Sequence, residues 1–538
     1  MAAFENALIL LLLIAGLSVI GRRLPWPQLI TYLLGGVGAA FIPSFPRLAL
    51  DPGFFFLCFL PPLLFSDGWL MPLREFVRAK RSILTLAIGL VIFTTIAVGL
   101  VSYWLVPGLP LAMAFALGAI VSPTDAVAVN SVTERLRVPA RLTTILNGES
   151  LMNDATGLVA FKFALAAVVA GSFSPGRVTL EFLLLALGGF ATGLGVGYGI
   201  GRLRDWLRRF HVSDPHIEIT LSLMTPFAAY LAAEKLGVSG VLSVVAAGLY
   251  SGWRDPVKMD VETRQSAFAV WSILLFWLNG IAFVLLGLQF PSLLSAVRDH
   301  YSIAQLLGFS AVVAITAMVA RIGWVFSGSY LPFLVPRLCA GESPPTKAGV
   351  LVLGWAGMRG TVTLAAALSI PLALPNGSPF PGRDIVIFLA FGVIAITLLV
   401  QGTTLEWLIS RLGLREDDSH TQEERLARIA AVEAGLKTLR AMEIEATAPD
   451  HSAALGQVVA EYEHRLAALT AEGETRKSAR RRRGAGHRYR LAALNAERTA
   501  VNGLWLDGQI ADEIHRPLQQ LLDHEEAMLK ASPHSTEE

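Results

Sequence analysis

The chain has 538 residues, of which 54% are hydrophobic and only 16% charged, with a net charge of +2. A soluble protein usually carries about a quarter charged residues, and a balance this close to neutral does not point to a nucleic-acid partner. The two cysteines, Cys58 and Cys339, provide neither a disulfide framework nor a metal-binding spacing.

The charge deficit is uneven. Up to about residue 410 the chain is apolar, with charges gathered in short loops, whereas residues 413–538 read as water-facing. The expectation is an all-α polytopic membrane protein with a transmembrane domain over 1–412 and a helical cytoplasmic tail over 413–538. The first apolar run, 6–20, is followed by Arg22-Arg23. A signal peptide has its basic residues before the apolar run, so this run reads as a retained first helix. Further apolar stretches fall at 26–42, 52–69, 83–106, 111–133, 143–169, 180–203, 217–233, 239–253, 267–290, 303–327, 348–374 and 385–409. That makes about thirteen spans, judged by the usual requirement of about 20 residues.

Loop charges orient the spans. The odd-numbered loops carry the basic clusters, such as Arg74, Arg78, Lys80 and Arg81, then Arg135, Arg137 and Arg141. The even-numbered loops carry at most about one basic residue each, such as Arg47, Arg177, Lys235, Arg298 or Arg383. Basic loops stay in the cytoplasm, so the N-terminus is expected outside and the C-terminus inside.

Two spans are unfit to be simple helices. The fifth contains Val121-Ser122-Pro123-Thr124-Asp125, and the twelfth contains Gly354-Trp355-Ala356-Gly357-Met358-Arg359-Gly360. Proline removes a backbone donor, and irregular backbone at membrane depth is tolerated only where it lines a cavity or is buried in protein. Two interrupted spans separated by an odd number of crossings suggest inverted repeats, the plan of a secondary transporter. Two unrelated kinked helices are the plainer alternative.

The sixth span opens with Asn147-Gly148-Glu149-Ser150-Leu151-Met152-Asn153-Asp154. Ser150 and Asp154 share a helix face, as do Glu149 and Asn153. An ionisable group at membrane depth usually faces an ion pathway; the bland reading of Asp154 is a helix-to-helix ion pair. Carboxylate, hydroxyl and amide oxygens suit a hard cation, so Asp154, Ser150 and Asn153, with Thr124 and Asp125 from the broken fifth span, form the candidate cation and proton site. Glu149 is placed for an ion pair with Arg359 or Arg321. Lys162 reads as a snorkelling or ion-paired residue. In the tail, Arg480–Arg483 reads equally as a contact for anionic lipid or as a solvated linker.

These motifs resemble the sodium/proton exchanger superfamily, specifically the bacterial monovalent cation:proton antiporters of the electroneutral branch. Ser122-Pro123-Thr124-Asp125-Ala126-Val127-Ala128 is similar to the family's broken-helix motif, Gly148-Glu149-Ser150 with Asn153-Asp154 to its cation-site helix, and Gly357-Met358-Arg359-Gly360 to its second broken helix. Leu60-Pro61-Pro62-Leu63-Leu64-Phe65 and the stretch 279–289 fit less strongly. The resemblance implies two crossed broken helices and a homodimer with a panel and a mobile six-helix core. It implies exchange of Na⁺ for H⁺, with Li⁺ or K⁺ as alternatives, at Asp154, and no cofactor. Thr124, Asp125, Ser150 and Asn153 would shape the site, and Glu149 and Arg359 would form a structural bridge. The Asn153-Asp154 pair implies one proton per cation, in the inner membrane, serving pH and sodium homeostasis. Asp67 departs from the glutamate that many members carry nearby. Three rivals remain: an intramembrane aspartyl protease using Asp125 and Asp154, a cation channel, and an ion sensor.

Overall fold

A computed structural model describes residues 2–530 except 25, 44, 46–51, 134, 135, 137, 171–174, 211, 213, 332–344, 415–417, 446–448, 471, 472, 508, 510 and 511. Cys339 and the loop arginines Arg47, Arg135, Arg137 and Arg337 lie outside the described residues, as do the side chains of Arg177 and Arg480–Arg483. Among the described residues all regular structure is helical, apart from one bridge between Ala373 and Pro379. The chain divides into two compact units, Met1–Glu416 and Asp417–Glu538.

Among the described residues the first unit holds one π-helical turn and eighteen α-helices. They are α1 (Ala2–Gly21), α2 (Gln28–Ala40), α3 (Pro52–Cys58), α4 (Leu60–Leu70), α5 (Leu73–Leu84), α6 (Val91–Leu105), α7 (Leu111–Val121), α8 (Ala126–Thr133) and α9 (Ala140–Ala170). Then follow α10 (Pro175–Arg209), α11 (Pro215–Lys235), α12 (Gly240–Lys258), α13 (Val261–Leu288), α14 (Phe290–Arg298), α15 (Ile303–Tyr330), α16 (Lys347–Trp355), α17 (Thr361–Leu368) and α18 (Arg383–Leu412). Among the described residues eight spans are long and apolar enough to cross a membrane: Phe4–Gly21, Leu73–Leu105, Leu111–Thr133, Ala140–Val169, Leu183–Arg209, Val261–Arg298, Ile303–Tyr330 and Arg383–Leu412. Two shorter apolar helices, Gln28–Ala40 and Phe56–Leu70, accompany them.

Local sequence sets many of the ends. Asp260 caps α13 by accepting from the Thr263 amide at 2.8 Å, and Ser302 with Gln305 forms a capping box at α15. Gly413, at φ +62°, closes α18 in the left-handed region that glycine tolerates. The expected third span is two helices. Pro61 and Pro62 fall in the first turn of α4, where a missing amide costs nothing. The fourth span is entered through the amphipathic α5 and contains a π-helical turn at Thr85–Leu90.

The helices form two groups. In the first, a panel, α13 packs on α2 and α1, and α12 packs on α4, α10 and α11. In the second, a core bundle, α9 packs on α7, α15 packs on α6 and α18, and the short α8, α16 and α17 lie among them. Close backbone approach holds the panel: a Cβ on Gly193 of α10 would collide with the Ser243 carbonyl of α12, and one on Gly287 of α13 with the Leu33 carbonyl of α2. Small residues of this kind let membrane helices touch.

The second unit comprises α19 (Asp418–Glu445), α20 (Pro449–Thr470), α21 (Gly473–Leu506) and α22 (Asp512–Lys530). Val432, Leu436, Val459, Leu494 and Leu522 are buried within it. Arg440 pairs with Glu463 between α19 and α20, Arg498 pairs with Asp523 and Glu526 between α21 and α22, and Trp505 stacks on His515.

Candidate ion site at the break of two helices

The backbone opens at 122–125 between α7 and α8, and at 356–360 between α16 and α17. The two breaks meet where the Asp125 amide donates to the Met358 carbonyl at 2.8 Å. Each break leaves carbonyls at the end of one half-helix and amides at the start of the next. Both sets are answered by charged side chains.

The carbonyl ends take arginines. Arg359 donates through Nε to the Val121 carbonyl at 3.0 Å and also to the Gly357 carbonyl. Arg321, from α15, donates to the Leu353 carbonyl through Nε and Nη2 at 3.2 and 3.1 Å. A cation at a helix C-terminus is favourable. The amide ends share one carboxylate. Asp125 accepts from the Val127 amide at 2.8 Å, and its other backbone partners are Ala128 and Thr361. Gly360 makes room, because the Asp125 carboxylate occupies the space that a Cβ there would need.

On α9, Glu149 is 1% exposed and forms a two-point pair with Arg321, with Nη2 to Oε2 at 2.8 Å. The bridge expected between Glu149 and Arg359 is therefore made by Arg321. Arg359 is taken up by the carbonyls of the crossing. Ser150 donates to the Thr124 carbonyl at 2.7 Å and accepts from the Ala126 amide at 2.9 Å. Thr124 donates to Glu149 at 3.2 Å and accepts from the Asn153 amide at 2.9 Å. Thr124, Ser150 and Asn153 thus clasp α9 to the break, while Asn153 Oδ1 is buried with no partner among the described residues.

Asp154 differs from all of these. It is 7% exposed, makes no hydrogen bond among the described residues, and its nearest charges are two acids, Asp125 and Asp67. It lines a cavity of about 30 Å³ together with Asp67, Thr124, Asp125, Ser150, Asn279, Thr361 and Thr363, closed by Leu60, Leu63 and Leu64. That space holds one or two waters or a partly dehydrated ion. Among the described residues no cluster of three acidic, histidine or cysteine side chains converges as a chelating metal site would. Lys162 is exposed and takes no part.

Sequence reasoning undervalued Asp67, which lies near the end of its apolar stretch. Its signal was present: Leu60, Leu63, Leu64 and Asp67 recur at one-face spacing, so an acid projects from the face that walls the cavity.

Residues 9–411 match the family described as the transmembrane sodium/hydrogen exchanger. The chain is 36% identical to an uncharacterized Na⁺/H⁺ exchanger of Escherichia coli over 98% of this chain and 99% of that protein. It is 35% identical to a sodium, potassium, lithium and rubidium/H⁺ antiporter of Bacillus subtilis over 99% of this chain and 79% of the relative. Its fold is similar to that of the sodium proton antiporter MjNhaP1 from Methanocaldococcus jannaschii, with a TM-score of 0.60 at 20% identity, over 77% of this chain and 99% of that one.

Proposed function

This chain belongs to the sodium/hydrogen exchanger family, a multi-pass membrane transporter and not an enzyme, and on that premise we propose that it exchanges Na⁺ for H⁺ by making the two compete for Asp154. The observation that carries this is a carboxylate with no cationic partner among the described residues, on the wall of an ion-sized cavity. Such a group must take its neutralising charge from outside the protein. A proton and a monovalent cation each supply one unit of charge and cannot both be accommodated. Each therefore leaves as the other arrives.

The remaining oxygens assist. Thr124 and Ser150 each keep a lone pair beyond the bonds described, and Asp67 adds a second carboxylate on the panel side. Asp125 is held as the shared cap of the two half-helices, which gives it a framing role and leaves an Asp125–Asp154 protease dyad without support. Glu149, Arg321 and Arg359 keep the crossing charge-balanced while the core bundle moves against the panel, exposing the cavity alternately to the two sides. One cation is exchanged per proton. The breadth of the Bacillus subtilis relative's name supports acceptance of Li⁺ and K⁺ as well.

The reading includes thirteen crossings built as inverted repeats, with the N-terminus outside and residues 413–538 in the cytoplasm of a bacterial inner membrane. It includes a homodimer, for which the largely exposed apolar α10 offers a face, and contact of Arg480–Arg483 with anionic lipid. The test is a pH-gradient assay in proteoliposomes. Asp154→Asn should abolish Na⁺-driven proton movement while the protein stays folded; exchange at the normal rate would refute the assignment.

A further inference from the structure

The cavity has two walls, and the panel wall carries two polar side chains, Asp67 on α4 and Asn279 on α13. Asp67 is an acid among acids. Asn279 is harder to explain as structure. It is half-buried at the rim of the cavity, and its carboxamide finds no hydrogen-bond partner among the described residues. The residues beside it on α13, Leu278 and Ala282, belong to a packed apolar cluster. One turn along α13, Ala282 packs with Phe59, Leu63 and Ala365, which brings together α13, α4 and α17. A leucine at 279 would suit that contact. An unpaired polar group kept at membrane depth points to function by default.

The geometry points to Asn279 as a panel-side ligand that sets the affinity of the site for its cation, an inference that rests on the exchange reading above. A carboxamide offers an acceptor oxygen on one side and two N–H donors on the other, so a turn of the group exchanges one for the other. With a cation in the cavity, Oδ1 can turn inward and join the oxygens of Asp154, Thr124 and Ser150. With the cation gone, the same group can turn its N–H toward Asp67 or Asp154. The core-side oxygens travel with the core bundle, whereas Asn279 is fixed to the panel. Its bond to the cation therefore exists only while the two walls face each other, so it bears on capture and release more than on the carried state. Smaller ions give up more hydration on entry and depend more on every replacing oxygen. Loss of the amide should therefore weaken Li⁺ and Na⁺ more than K⁺.

The test compares wild type with Asn279→Leu and Asn279→Gln in proteoliposomes, titrating Na⁺ and Li⁺ at fixed pH, with Asp154→Asn as the control. Asn279→Leu should raise the KM for Na⁺ about tenfold, while the rate at saturating Na⁺ falls much less. The KM for Li⁺ should rise at least as much, and Asn279→Gln should recover part of the loss. A KM for Na⁺ within twofold of wild type, or an equal fall in rate for both ions with KM unchanged, overturns the proposal. If Asn279→Leu fails to reach the membrane, Asn279→Ser is titrated in its place and judged by the same KM limits. Exchange surviving in Asp154→Asn would sink the underlying reading instead, and inactivity of that control with an unmoved KM in the Asn279 variants sinks this inference alone.

Discussion

Glu149 and Arg321 are each 1% exposed and face each other with both oxygens and two nitrogens engaged. Removing one partner of a buried pair strands the other, at a cost of about 3–5 kcal/mol, whereas replacing both with apolar groups is often close to neutral. Glu149→Ala should therefore lower the thermal midpoint in detergent sharply. The double variant Glu149→Ala/Arg321→Met should recover much of that loss, though Leu353 would lose the guanidinium on its carbonyl. A single variant as stable as wild type would show that the pair is dispensable to the fold. The same pair marks how far a sequence can be read. A buried acid needs a base, and that need is visible in the residue string. Two arginines stood at suitable depth, and the choice between them depends on which half-helix carbonyls each one answers. Those distances exist only once α15, α16 and α7 are packed together.

At the scale of the element, the broken helices were legible because Pro123 and the glycines around Arg359 are chemically unfit for an unbroken ladder. What the string could not disclose is that one carboxylate caps both restarts. Asp125 reaches Val127 on its own chain segment and Thr361 more than two hundred residues away. This gives Gly360 its reason, since any side chain there would displace the Asp125 carboxylate. Gly360→Ala should abolish exchange and destabilise the core, whereas Gly357→Ala would press on Arg321 at Cδ, so its cost should fall on the buried Glu149–Arg321 pair and show as a lowered thermal midpoint. Equal activity of Gly360→Ala and wild type in the vesicle assay would remove the shared cap from the account. The π turn at Thr85–Leu90 was likewise illegible. The carbonyl of Thr85 is met by the Trp324 indole at 3.2 Å, a partner on another helix that no local propensity encodes. The panel has a fastening of its own, where Asp255 of α12 joins Arg204 of α10 at 3.1 Å and the Trp69 indole of α4 at 3.2 Å. That tie stands two residues from Asp67 and holds the acid's helix to the panel.

For the molecule as a whole, the number of carboxylates that change their load per turnover decides how it meets the membrane potential. One elementary charge moved across 100 mV is worth about 2.3 kcal/mol, or roughly fiftyfold in an equilibrium ratio. If Asp154 alone alternates between Na⁺ and H⁺, the moving unit carries the same net charge in both directions and the field does no work. If Asp67, in the same cavity, also takes up a proton each time the cation leaves, two protons cross against one cation and one net charge moves. The difference is read from the Na⁺ ratio that vesicles reach at a fixed pH gradient, with the potential clamped at zero and then at −100 mV. One-for-one exchange predicts the same ratio at both potentials, whereas two protons per cation would shift it roughly fiftyfold. Asp67→Asn distinguishes a shared site from a shared load: with one alternating acid, the variant should change the KM for Na⁺ and leave the ratio insensitive to potential. A ratio that follows the clamp in wild type, and ceases to follow it in Asp67→Asn, would make Asp67 the second proton carrier.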